Sequence, residues 1–156
     1  GIQNVETFVG DITKPLPVKE EADKIVSVQV IQHIPTETGR CKALENLYDQ
    51  LKAGGKCIIS FYNWGSFFDR GLAKEGKFPS GVYYLRFTPN EAAALFKKCG
   101  FKNVSVRGCV NFRWYALLNN HNLYKAFYPV ARLDAFLSRF KASCSLGAYL
   151  VCKGFK

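Results

Sequence analysis

Apolar positions along the chain alternate between two spacings. Short apolar runs at residues 5–9, 24–31, 56–62, 104–112 and 146–152 predict β-strands. The second run, with Ile25-Val26-Ser27-Val28 at its heart, has the near-continuous apolar character of a parallel strand covered on both faces. Between these runs the period lengthens. Leu44, Leu47, Tyr48 and Leu51 recur at i, i+3, i+4 and i+7, which predicts one apolar stripe on a helix capped by Thr36 and stopped by Gly54-Gly55. Thr88-Pro89-Asn90-Glu91 has the form of a capping box with proline in the first turn. Ala92, Leu95, Phe96 and Cys99 continue it as a stripe, and Gly100 closes it. Residues 113–145 read as a helical insertion or lid before the last strand, with Leu133, Phe136, Leu137 and Phe140 on one face. No linker, repeat or low-complexity stretch divides residues 1–156, so the pattern predicts a single α/β domain with a mainly parallel sheet.

Composition narrows the class. With 48% hydrophobic and 15% aromatic residues the chain is globular, and it has no apolar run long enough to span a membrane. It lacks a basic, apolar leader at its start and contains no methionine, which makes excision from something longer an expectation. The six cysteines form no CxxC pair and have no metal-like spacing with His33 or His121. They read as small buried hydrophobes in a reducing, cytoplasmic setting, with no metal expected. A net charge of +10 favours an anionic partner, RNA or a phosphorylated metabolite, but the basic residues are dispersed and also describe an ordinary solvated surface.

Ligands of layered α/β folds gather beyond the carboxyl ends of the strands. Three segments belong to that edge: Gly10-Asp11-Ile12, residues 29–33 and Tyr62-Asn63-Trp64. Here "GDITKPLPVKEEADKIVSVQVIQHI", "LYDQLKAGGKCIISFYN", "RFTPNEAAALFKKCGF" and the terminal "LGAYLVCKG" resemble, in order, consecutive parts of the class I S-adenosylmethionine-dependent methyltransferase family. The resemblance implies a Rossmann-like methyltransferase sheet and S-adenosyl-L-methionine as cofactor. It matches Asp11 to the acid that accepts from the adenine amino group, Ile12 to the residue flanking the ring, and Val28 and Gln29 to the strand end beside the cofactor. His33 matches a histidine near the methyl-transfer pocket, where an imidazole can orient an acceptor or take its proton. Each has a plainer reading: Asp11 as a turn residue, Val28 as core, His33 as a structural histidine at a helix entry. Asn63, Trp64, Tyr84, Arg86 and Trp114 are candidate acceptor-site residues, able to stack on a base or a flat metabolite, or equally to pack as core and lid.

One departure from the family's pattern dominates. Neither the glycine-rich loop nor the ribose-binding acid is present, and "KAGGK" leads from a helix into a strand, the reverse of a phosphate-cradling turn. The matched strands are the family's third to seventh. The sheet is therefore expected to lack its first two strands and to leave a bare apolar edge along residues 25–30. The missing N-terminal half would be supplied by a longer chain or a partner chain. On this reading the sequence is the substrate-side part of a methyltransferase acting on a small-molecule or RNA acceptor. A wobble-uridine tRNA methyltransferase is the nearest alternative, and a non-catalytic methyltransferase-like binding module is another.

Overall fold

The computed structural model describes residues 5–18, 20–110 and 121–156, and of residues 68 and 121–128 the backbone alone. Strand β1 (Ala22–Val28) leads through a short 3-10 turn (Ile31–His33) into helix α1 (Glu37–Asp49). Strand β2 (Leu51–Asn63) follows, then a hairpin of β3 (Glu75–Lys77) and β4 (Tyr83–Phe87). Helix α2 (Pro89–Lys98), strand β5 (Lys102–Cys109), helix α3 (His121–Leu137) and strand β6 (Tyr149–Phe155) complete the chain.

Both predicted helix starts form. Thr36 Oγ1 accepts from Gly39 N at 3.1 Å, and Thr88 and Glu91 make a reciprocal capping box. Helix α1, however, ends at Asp49 and not at Gly54-Gly55. The backbone there is already engaged in the sheet: Ala22 N donates to Gln50 O, Gly54 N to Lys156 O and Lys156 N to Gly55 O. These ladder bonds consume the groups that another helical turn would need.

The sheet corrects the expectation of a mainly parallel one. β2 is its centre. β1 pairs with it in parallel, Lys24 to Val28 opposite Lys56 to Ser60, and β6 pairs antiparallel along the other edge. β4 joins the β1 edge further on, with Tyr62 opposite Arg86 and Asn63 opposite Phe87. β5 lies antiparallel outside β6, and β3 antiparallel outside β4. Three of the five pairings are therefore antiparallel. β1, β2, β4 and β5 still share one direction. The inversion comes from β6, which inserts between β2 and β5, and from the β3–β4 hairpin, built on the turn in which Phe78 N donates to Val82 O and Gly81 takes φ +82°.

Residues 5–9 form no strand. Val5, Phe8 and Val9 are exposed, because no strand among the described residues offers them a ladder. β5 starts at Lys102, two residues before its expected position, and residues 111–112 lie outside the described part. β6 starts three residues later than expected, since Gly147 N closes a turn onto Ser143 O.

Burial is one-sided. Leu44 and Leu47 of α1 and Leu95 and Phe96 of α2 pack on Cys57, Ile59, Phe61, Leu150 and Cys152, all on the same face of the sheet. Each fully buried large apolar side chain contributes about 1.5–3 kcal/mol. Lys98 Nζ and Glu37 Oε1, 2.6 Å apart, tie the two helices across the top of this core. The opposite face is open among the described residues. Val26 and Val28 are each 65% exposed, so β1 is covered on one face only, against the expectation of two. Its outer edge is also unpaired among the described residues. The expected apolar face is turned mostly outward: Leu133 and Phe136 of α3 and Phe140 just beyond it are exposed, while Leu137 is half-buried. All six cysteines are free thiols, and burial pushes Cys57 and Cys99 up to about 12.

Candidate functional site

Strand alternation decides which side chains reach the carboxyl edge of the sheet. Phe61 and Asn63 point to the buried face, so Tyr62 points to the open one. Tyr62 organises the group around it. The His33 ring meets it edge-on with centroids 5.7 Å apart, Phe78 lies at 6.2 Å, Tyr149 at 5.8 Å, and the Arg86 guanidinium stands 5.9 Å from its ring. Tyr84 stacks on Phe78 at 4.7 Å and holds its own ring 5.6 Å from Arg86. Tyr62, Phe78, Tyr149, Ala148, Arg86 and Asp69 enclose a cleft of about 210 Å³.

The backbone makes room for this group by a change of neighbour. β1 ends at Val28, and Gln29 takes φ +56° with its N–H donating to Ser60 Oγ at 3.0 Å. That left-handed conformation costs a non-glycine residue roughly 1–2 kcal/mol. It turns the chain out of the sheet, and β4 takes over the vacated edge of β2. His33 sits at the seam, its Nδ1 2.7 Å from the Tyr83 carbonyl oxygen. A carbonyl only accepts, so Nδ1 carries the proton of the neutral ring and Nε2 is the acceptor atom. Gln32 beside it is fully buried. Its Oε1 accepts from Tyr62 N at 2.7 Å, while its Nε2 has no partner among the described residues.

The remaining sequence-predicted residues divide into supports and surfaces. Asp11 is half exposed, and its Oδ1 accepts from Thr13 N and Thr13 Oγ1; these bonds hold its carboxyl below the usual range. Ile12 packs on the core edge, and its carbonyl accepts from Asn46 Nδ2, which also binds Lys14 O, so a buried asparagine docks the 11–14 turn on α1. Asn63 is fully buried. Both its N–H groups donate to backbone carbonyls, those of Cys144 and Gly147, and its Oδ1 accepts from Gly65 N. It fastens the 144–147 turn to the end of β2 and has no N–H left for an acceptor. Trp64 is 38% exposed, and its backbone N–H donates to Phe87 O. Trp114 lies outside the described residues. His33, Tyr84 and Arg86 are thus brought together, while Asp11 and Ile12 occupy a separately anchored turn. Asn46, Asp69, Phe78 and Tyr149 lie outside the edge segments that the sequence marks, and Gln32 and Tyr62 lie within them without being singled out as candidates. For Tyr62 a signal existed in its alternation with Phe61; the others arrive through long-range packing.

No family model matches the sequence, and no curated protein matches it. The fold, however, is shared with many solved structures. A SAM-dependent methyltransferase from Thermotoga maritima, described as a possible histamine N-methyltransferase, superposes with a TM-score of 0.57 at 22% identity, over 94% of this chain and 61% of that one. The CcbJ methyltransferase from Streptomyces caelestis gives 0.60 at 11% identity, with the same two coverages. Human N-acetylserotonin methyltransferase, solved in complex with SAM, gives 0.52 at 18% identity over 94% and 32%. The chain therefore has a methyltransferase-like fold and spans about three-fifths or less of these structures.

The described residues fit only one side of such a cofactor. Beyond its turn bonds Asp11 sets Oδ2 4.0 Å from Lys14 Nζ, and the end of β1 is open. The one paired-glycine turn, Gly54-Gly55, sits at the opposite end of β2, bonded to Lys156. Among the described residues no glycine-rich strand-to-helix turn brings a backbone against such a cofactor.

Proposed function

We propose that the chain is the acceptor-side part of a class I methyltransferase that delivers the methyl group of S-adenosyl-L-methionine to a small-molecule nucleophile. The observation that carries this reading is the His33–Tyr62–Arg86 group at the carboxyl ends of β1, β2 and β4 in a methyltransferase-like fold. The cofactor, where bound, supplies an already activated methyl group, so acceleration rests mainly on proximity and alignment. Tyr62, Phe78 and Tyr149 wall the acceptor. The Tyr83 carbonyl fixes the tautomer of His33, whose Nε2 receives the acceptor's proton as its nucleophile reacts. The glycine-rich cradle comes from a companion segment, in a longer chain or a partner, that pairs with the outer edge of β1 and covers Val26 and Val28. The exposure of those valines supports this reading.

The test is methyl transfer, followed by product mass, in a preparation that also holds the cofactor-binding half. His33→Ala is expected to lower turnover by roughly 10²–10³-fold, within the range of general acid–base contributions, with cofactor affinity unchanged. An unaltered rate and pH profile would return His33 to a structural role.

A further inference from the structure

Arg86 is the least satisfied polar group in the cleft. Its side chain is only 14% exposed, yet among the described residues its guanidinium makes no hydrogen bond, and Nε is enclosed without a partner. Asp69 stands 3.9 Å from Nη1, close enough to balance charge and too far to hydrogen-bond. A guanidinium carries five donors in a planar fork. Taking such a group out of water without acceptors is costly, and the Tyr62 and Tyr84 rings 5.9 and 5.6 Å away attract its charge without a hydrogen bond from the guanidinium to either phenol oxygen. The arrangement is that of a cation held ready. Asp69 stands on the Nη1 side, and a guanidinium fork can engage a carboxylate with two parallel bonds.

Building on the acceptor-side reading, we propose that Arg86 anchors a carboxylate carried on a single flat ring. The cleft limits the size, since about 210 Å³ is below the roughly 300–1,000 Å³ of sites for drug-sized ligands. Its aromatic walls match a ring face, and Arg86 lies at its charged end. The nucleophile then projects from the ring toward His33, which packs against both Tyr62 and Phe78.

Benzoate, benzamide and benzyl alcohol, titrated separately into the full 156-residue chain without cofactor and followed by ligand-observed NMR, test this directly. Benzoate should bind at least tenfold more tightly than either neutral probe. Arg86→Lys, which keeps the charge and removes the fork, should remove that preference. Equal binding of benzoate and benzamide, no benzoate binding at millimolar concentration, or an unchanged preference in Arg86→Lys overturns the proposal. The comparison of probes on the unmodified chain stands even if the variant misfolds. The outcome is also separable from the methyltransferase reading: transfer to a neutral acceptor with no benzoate preference would remove the anchor and leave the reaction.

Discussion

At the scale of single residues, the polar side chains that matter most are those without water. Asn63 is fully buried and makes three hydrogen bonds to the backbone, two to the turn before β6 and one to Gly65. Replacing it with alanine strands two carbonyls and an N–H in the interior. Asn63→Ala should therefore cost about 2–4 kcal/mol, at roughly 1–3 kcal/mol for each group left unsatisfied and with partial relaxation. Urea unfolding measures this, and a loss below about 1 kcal/mol would mean that the turn re-forms its bonds elsewhere. Sequence reading placed Asn63 at the acceptor edge because it follows a strand end. Its inward direction was legible only through alternation with Tyr62, and its two carbonyl partners lie more than 80 residues away. Arg86 shows the complementary case. The sequence marks Arg86 as an acceptor-site candidate, and only the pairing of β4 with the end of β2 shows that Tyr62 stands beside it.

At the scale of elements, local chemistry was the most readable. Thr36, the Thr88–Glu91 box and the glycine after α2 formed as spacing alone implied, because capping involves residues three apart. Strand direction was not readable. An antiparallel β6 and a parallel one carry the same apolar run, and only the pairing of Ile59 with Cys152 and of Val106 with Cys152 reveals the inversion. The β3–β4 hairpin was hidden for a related reason, since Glu75-Gly76-Lys77 is too short and polar to signal a strand. The cap of α2 gives an element-level prediction. Burial raises the Glu91 carboxyl, but hydrogen bonds from Lys74 and Thr88 outweigh it and hold the group below its usual range. A depressed folded pKa gives stability that is present above the unfolded value and lost as pH falls through the folded one. Thr88→Ala should cost about 1 kcal/mol near neutral pH. That cost should shrink as pH falls below the usual glutamate range and Glu91 protonates. Thermal unfolding of both proteins across that range checks it, and a cost independent of pH would show that Glu91 takes no part in the box.

At the scale of the whole molecule, the sheet is finished on one side and open on the other. α1 and α2 seal one face, while the other face and the β1 edge expose Val26 and Val28. An unpaired apolar edge invites pairing with another chain. The isolated chain should self-associate, and Val28→Lys, which places a charge on that edge, should shift sedimentation toward monomer. A native chain that stays monomeric at high concentration would show the edge to be covered in a way this fold does not display. An open β1 edge was an expectation of the sequence, in which no glycine-rich turn occurs. The resulting exposure was only half legible, because an apolar run such as Ile25-Val26-Ser27-Val28 looks the same whether its second face is covered from within or from outside.

The central claim is a division of labour: these residues receive the acceptor, and the cofactor's cradle lies in a companion segment. Calorimetric titration of the 156-residue chain with S-adenosylhomocysteine, alone and together with a polypeptide carrying the glycine-rich turn, tests it most directly. Losing several hydrogen bonds at about 1–3 kcal/mol each should push a micromolar site past millimolar, at tenfold for every 1.4 kcal/mol or so. The account predicts no binding below millimolar for the chain alone and micromolar binding for the pair. Micromolar binding by the chain alone would contradict it.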